Sequence, residues 1–296
     1  MKPFDYVRCT RIEDACAALA ELDGAARVLA GGTDLLLELR RPGAVAPRTL
    51  VDISRIADLG GIAACDGTVT VGPLTTHAEL SRSELLRRAA GFLAAASGAV
   101  GSPQIRNRGT VGGNVMNAAT CADTVPPLVA LGARLTLQSS LGRREIPIAA
   151  FFERPYRTRA RADEVLVSIA FPPLPAAARS AFVKLSRRNA VSIARLSVAA
   201  VVALDPRGLI AEARIVPGAA LPVWKRIPEA EDMLVGERPS EALFAAAGRR
   251  ATEVMIAAAG RRWSTEYKEP VLAVLVRRAL EACARPEPAA SLEASR

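Results

Sequence analysis

Gly101-Ser-Pro-Gln-Ile-Arg-Asn-Arg-Gly-Thr-Val-Gly-Gly-Asn-Val-Met-Asn-Ala-Ala-Thr-Cys-Ala-Asp123 gathers Gly101, Gly109, Gly112 and Gly113 with three Asn, two Arg and a closing Asp. Repeated glycine weakens a helix, and so many polar residues do not suit a buried strand. The stretch therefore reads as a tight turn whose backbone N–H groups face outward. Gly112 and Gly113 let a ligand approach the main chain, and consecutive N–H groups make a concave anion site. Thr110, Asn114 and Asn117 add side-chain donors, and Arg106 and Arg108 add positive charge. A plain polar surface turn is the alternative reading.

Upstream, Val28-Leu-Ala-Gly-Gly-Thr-Asp-Leu-Leu-Leu-Glu-Leu-Arg40 has the same chemistry. A short apolar strand runs into a Gly-Gly turn and then an amphipathic segment, a common plan for phosphate binding. The spacing fits neither G-x-G-x-x-G nor a P-loop. Two such turns in one domain can hold the two phosphates of a dinucleotide from opposite sides.

Ala30-Gly-Gly-Thr-Asp34 followed by Gln104-Ile-Arg-Asn-Arg-Gly-Thr-Val-Gly-Gly-Asn114 resembles the FAD-binding subunit of the xanthine dehydrogenase family, the molybdenum hydroxylases with a separate medium-sized flavin chain. The resemblance covers about residues 2 to 284. It implies an α+β fold in which a two-part FAD-binding domain, with a vanillyl-alcohol oxidase-like flavin fold, precedes a C-terminal three-stranded antiparallel sheet with helices. The expected division is 1–175 (subdomains about 1–55 and 56–175), then 176–285, with a disordered tail at 286–296. It further implies FAD in this chain, with the molybdenum cofactor and two 2Fe–2S clusters on partner subunits. The expected assembly is a dimer of heterotrimers with a small 2Fe–2S subunit and a large molybdopterin subunit, serving NAD or another acceptor.

Residue by residue, the resemblance places Val28, Leu29, Ala30, Gly31, Gly32, Thr33, Asp34 and Leu35 along the cofactor, with Thr110, Val111, Gly112, Gly113 and Asn114 opposite. Val100, Asp123, Leu166, Lys184 and Ile193 complete the set. Asp123 would accept hydrogen bonds from ribityl or ribose hydroxyls, or else cap a helix ahead of Pro126-Pro127. Lys184, one of four lysines, would sit near the flavin, or else snorkel to solvent from a strand edge. In many relatives an acidic residue precedes the Ile-Ala pair at 193–194; here it is Ser192, which weakens the case for NAD.

Composition bounds the rest. A chain of 296 residues, half of them apolar, buries a real core and holds two or three subdomains. No apolar run approaches a membrane span and the start has no secretory pattern, so a cytoplasmic protein is expected. The five cysteines are scattered without C-x-x-C, so neither a disulfide framework nor a metal cluster is expected. The cysteine-rich insertion of the 4-hydroxybenzoyl-CoA reductases, which resemble this family, is also missing. The net charge of +9 is nearly all arginine and dispersed, and aromatics are 4%, which argues against nucleic-acid binding.

Periodicity predicts a helix over 12–22 capped by Thr10, a strand at 27–30, a strand at 49–53 and a helical turn at 54–59. A hairpin turns at Asp66-Gly67. Thr76 and Glu79 form a capping box, which reads the lone His77 as a helix residue rather than a catalytic one. A helix over 85–99 leads into the central stretch. A short helix or turn at 126–132 follows, with strands at 134–138, 143–148 and 164–171 and a Pro-rich boundary at 172–175. Strands at 180–186, 195–204 and 208–217 and helices at 239–260 and 271–285 make a sheet with helices on one face. No catalytic residue and no metal ligand are identified. Carbon monoxide dehydrogenase-type chains and, in a different class, a non-catalytic nucleotide-binding assembly protein are the competing readings.

Overall fold

The computed structural model describes residues 3–188, 191–261 and 263–285. The tail at 286–296, for which disorder is expected, lies outside the described residues, as do Asn189 and Ala190.

The first unit is a three-stranded parallel sheet of order β1-β3-β2, built from β1 (Asp5–Arg8), β2 (Ala26–Leu29) and β3 (Thr49–Asp52). Helix α1 (Ile12–Glu21) buries Ile12, Ala15, Cys16 and Leu19 against it, and α2 (Leu35–Leu39) follows the first glycine turn. Strand β1 escapes the sequence patterns because all four of its residues are exposed. The α1 cap is Arg11 and not Thr10. The Cys9 amide donates to the Asp52 carbonyl, which prolongs the strand pairing past β1 and leaves Thr10 outside the cap, while the helix starts at residue 12 as read. The turn expected at 54–59 shrinks to a 3₁₀ turn, Ala57–Leu59.

The second unit holds a five-stranded antiparallel sheet of order β4-β5-β10-β6-β7. Its strands are β4 (Ile62–Cys65), β5 (Thr68–Val71), β6 (Arg134–Ser139), β7 (Gly142–Pro147) and β10 (Val165–Phe171). Strand β10 enters between the two hairpins, a long-range pairing that no local pattern encodes. Between β5 and β6 lie α3 (His77–Arg82), α4 (Glu84–Gly98), α5 (Pro103–Arg106), α6 (Val111–Asn117) and α7 (Val125–Ala130). A short helix α8 (Ile148–Phe151) and the paired β8 (Phe152–Arg154) and β9 (Arg157–Thr158) precede β10.

Past Pro172–Pro175, β11 (Ala178–Ser186), β12 (Ala194–Leu204) and β13 (Ile210–Gly218) form an antiparallel sheet in sequence order, with α9 (Pro228–Glu231) packed on β13. Helices α10 (Glu241–Ala259) and α11 (Thr265–Ala284) lie on one face. The other face is covered too. Along β12, Leu196, Val198, Ala200 and Val202 join the core under α10 and α11, whereas Ala199 and Val201 join the core of the second unit with Leu128 of α7. Helix α11 starts six residues before the expected Val271 and runs through Pro270. Burial of Leu272, Leu275, Val276 and Leu280, with the Lys268 ammonium donating to the Ala219 carbonyl at 2.6 Å, outweighs the one backbone hydrogen bond that proline removes.

Candidate functional site: a cleft between two glycine turns

The first turn leaves β2 at Ala30. A Cβ on Gly31 would overlap the Arg108 carbonyl oxygen, so the two turns meet backbone to backbone there. Gly32 has φ +75°, the left-handed region that favours glycine. The amides of Gly31, Gly32, Thr33, Asp34 and Leu35 donate to no protein acceptor among the described residues. Five consecutive N–H groups without partners at the wall of a cleft are an anion site in backbone form.

The second turn is built differently from the expectation. Its Gly-Gly pair lies in the first turn of a helix, α6, and its amides are spent inside the protein. Thr110 caps the helix with Oγ1 accepting from the Gly113 amide at 3.1 Å. The Val111 amide donates to the Thr75 carbonyl, the Gly112 amide to the Pro73 carbonyl, and the Asn114 amide to the Thr110 carbonyl. A Cβ on Gly112 would overlap Pro73, so packing against the β5–α3 loop by itself requires a glycine here. What this turn offers a ligand is side chains. Asn114 Oδ1 accepts from the buried Thr124 hydroxyl at 2.7 Å, which leaves the amide N–H groups of Asn114 as its donors to the cleft.

The two turns line one cleft of about 720 Å³, within the size range of small-molecule and cofactor sites. Of the residues named from sequence, Val28, Ala30, Gly31, Gly32, Thr33, Asp34, Leu35, Val100, Thr110, Gly112, Gly113, Asn114, Asp123, Leu166 and Ile193 line it. Leu29, Val111 and Lys184 do not. Val111 is fully buried in the core, and the Leu29 carbonyl is tied to the Ile53 amide in the sheet. Lys184 neither faces the cleft nor snorkels to solvent. Its Nζ is 2.6 Å from Asp123 Oδ2 and 2.9 Å from the Ala99 carbonyl oxygen. Asp123 Oδ1 is buried with no partner. Burial pushes the Asp123 carboxyl up to about 6, with Lys184 acting in the opposite direction. The helix-cap alternative for Asp123 fails, because Thr124 stands at the N-cap of α7.

Sequence reading missed several walls. Glu164, its side chain wholly buried, lines the cleft and is paired with Arg144 at 2.6 Å and with Arg161, another lining residue, at 3.1 Å. Cys121 lines the cleft beside Asp123, and burial raises its thiol. His77 lines it as well, at 2% exposure, with burial and then Arg106 lowering its imidazole to about 4. The capping box at Thr76 and Glu79 is present as read, but it says nothing of what the helix start faces. The long-range signal is the isolated bridge between Thr76 and Thr110. Val191, Ser192 and Ile193, in the stretch before β12, line another part of the cleft.

A dinucleotide fits this donor set. The partnerless amides at 31–35 suit a pyrophosphate, Asp123 Oδ1 is an acceptor still unused for a hydroxyl, and the walls are largely apolar. No group of three or more metal-binding side chains occurs among the described residues, and no described helix is long and apolar enough to cross a membrane.

Fold and cleft together define a flavin-carrying chain. Residues 2–174 match the family model of the FAD binding domain in molybdopterin dehydrogenase, and residues 181–283 match that of the CO dehydrogenase flavoprotein C-terminal domain. The chain is 34% identical over 284 residues to the 6-hydroxypseudooxynicotine dehydrogenase complex subunit alpha of Paenarthrobacter nicotinovorans, covering 95% of each. It is 38% identical over 228 residues to the putative xanthine dehydrogenase FAD-binding subunit of Escherichia coli (strain K12), covering 76% of this chain and 77% of that one. Carbon monoxide dehydrogenase from Hydrogenophaga pseudoflava superposes with a TM-score of 0.89 at 30% identity, over 96% of this chain and 98% of that one. The chain belongs to the family of FAD-binding medium subunits of xanthine dehydrogenase-type molybdenum hydroxylases.

Proposed function

We propose that this chain is the electron exit of a molybdenum hydroxylase, receiving electrons from 2Fe–2S clusters on a small partner subunit and passing them to NAD or another acceptor. Residues 1–175 serve as the flavin-binding part and 176–285 as the C-terminal part. FAD, when bound, supplies the exchange between one-electron and two-electron carriers. The chain's own work is positional. The amides of Gly31–Leu35 hold the pyrophosphate, Asn114 donates to the cofactor, Asp123 accepts from a ribityl or ribose hydroxyl, and Leu166 and Ile193 keep water from the ring systems. The observation that supports this most directly is the run of five partnerless amides facing the cleft.

Substrate oxidation belongs to a large molybdopterin subunit, and the assembly is a dimer of heterotrimers. An N-heterocyclic or other aromatic substrate of the xanthine type is favoured by relatives named for xanthine, nicotinate and caffeine. A carbon monoxide dehydrogenase-type complex is the second reading, favoured by the superposition on that enzyme. Purifying the native complex, identifying its subunits and metals, and assaying reduction of each substrate class decides between them. A colourless purified chain that does not quench FAD fluorescence would overturn the flavin reading and leave a nucleotide-binding assembly protein. Substrate turnover by the isolated chain would overturn the assignment of electron exit.

A further inference from the structure

The only histidine of the chain sits at the seam between the two glycine turns. The His77 amide donates to the Gly109 carbonyl at 3.0 Å. A Cβ on Gly109 would lie 3.2 Å from His77 Cδ2 and 3.5 Å from Thr33 Oγ1, so the imidazole and the Thr33 hydroxyl both stand against that glycine. The ring is thus brought to the turn whose amides lack acceptors. It lines the cleft, yet Nδ1 is enclosed and has no hydrogen-bond partner.

That enclosure settles the tautomer. A buried N–H without an acceptor is rarer and costlier than an unused lone pair, so the proton belongs on Nε2 and the lone pair on Nδ1. The nearby guanidinium does not supply an alternative partner, since Arg106 donates to the Val100 and Gly101 carbonyls at 3.0 and 3.1 Å. Burial and the Arg106 charge keep the ring neutral near pH 7. His77 therefore carries one donor, on the nitrogen left for the cleft, beside a row of backbone donors. Donors of this kind converge on an anionic oxygen.

We propose that His77 is a ligand of the bound dinucleotide, its Nε2–H donating to a phosphate oxygen held by the amides of Gly31–Leu35. This rests on the flavin reading above and adds to it a side chain that fixes the diphosphate in the seam between the turns.

The test uses the full chain stripped of cofactor, with FAD and ADP as probes and ¹⁵N-labelled histidine. One histidine gives one imidazole spectrum. The expected result is a neutral Nε2–H tautomer whose Nε2 signal moves on adding either FAD or ADP. His77→Leu is expected to weaken both ligands by about ten- to a hundredfold, the range of a hydrogen bond to a charged group, with His77→Gln recovering part through its own N–H. A signal that moves with FAD and not with ADP overturns the phosphate assignment. A signal that moves with neither, while FAD binds, overturns the proposal and leaves the flavin reading intact. Wild-type protein that does not bind FAD overturns both. Should His77→Leu fail to fold, the wild-type spectra alone decide.

Discussion

Lys184 Nζ stands 2.6 Å from Asp123 Oδ2 and 2.9 Å from the Ala99 carbonyl, so one ammonium on β11 grips the central stretch at both of its ends. Both side chains of the pair are close to fully buried, at 11% and 7% exposure. Removing one partner of a buried pair strands the other. Lys184→Met is therefore expected to destabilise the chain by about 3–5 kcal/mol, and the double variant with Asp123→Leu to recover a large part of that loss. Urea unfolding of the two single variants and the double variant measures the coupling. Additive losses would show that the contact contributes nothing.

The two glycines of α6 are expected to separate. Gly112→Ala drives a Cβ into Pro73 and should lower the melting temperature of cofactor-free protein, at about 1–3 kcal/mol or more. Gly113→Ala places its Cβ 2.9 Å from one hydroxyl, Thr110 Oγ1, which can rotate at the expense of the cap. Its loss should stay near 1 kcal/mol. Equal melting temperatures in the two variants would refute this reading of the packing.

Acid stability depends on two buried groups of opposite sign. His77 is lowered from 6.5 to about 4, so the unfolded chain takes up the proton first, and stability falls as pH drops from 6.5 to 4. Asp123 is raised from 3.8 to about 6, so its contribution is present below 3.8 and is lost as pH rises through 6. Between 4 and 6 the two slopes oppose. His77→Gln removes the first alone. Relative to wild type it should gain about 3 kcal/mol between pH 7 and pH 4, measured by urea unfolding at each pH. A constant difference across that range would mean that the imidazole titrates normally.

Ser192 lines the cleft in a stretch that also carries Arg187 and Arg188. Ser192→Asp adds a negative charge to that positive surface. It should lower the reduction potential of the bound flavin and slow electron delivery to dye acceptors, read by a dye-referenced titration and stopped-flow reduction. Identical potentials would place residue 192 away from the flavin.

Local chemistry was readable wherever neighbours in sequence decide structure. The Asp66-Gly67 hairpin, the Thr76–Glu79 capping box and the three strands after Pro175 need only adjacent residues. The Gly31-Gly32 turn and the helical segment after it were readable in the same way, with Gly32 at φ +75° and α2 starting at Leu35. The second turn was not, because glycine propensity competes with four backbone donors whose acceptors include Pro73 and Thr75, far off in the chain. The clasp of Lys184 on Asp123 and the seat of His77 against the cleft were not legible for a related reason. Their partners, Ala99, Asp123 and Gly109, come from elements that only the tertiary fold brings near.

The cleft draws its wall from Leu19 at one extreme and Ile193 at the other, with the Gly31–Arg108 contact between. A ribosome delivers those residues in that order, and domains fold as they emerge. The amides of the first turn are made early, yet the Lys184 clasp on Asp123 and the wall at Val191–Ile193 come only after about two-thirds of the chain has been synthesised. The cleft is thus closed only once the β11–β12 region has emerged, and a nascent chain truncated before residue 184 lacks both the clasp on Asp123 and the wall at Val191–Ile193.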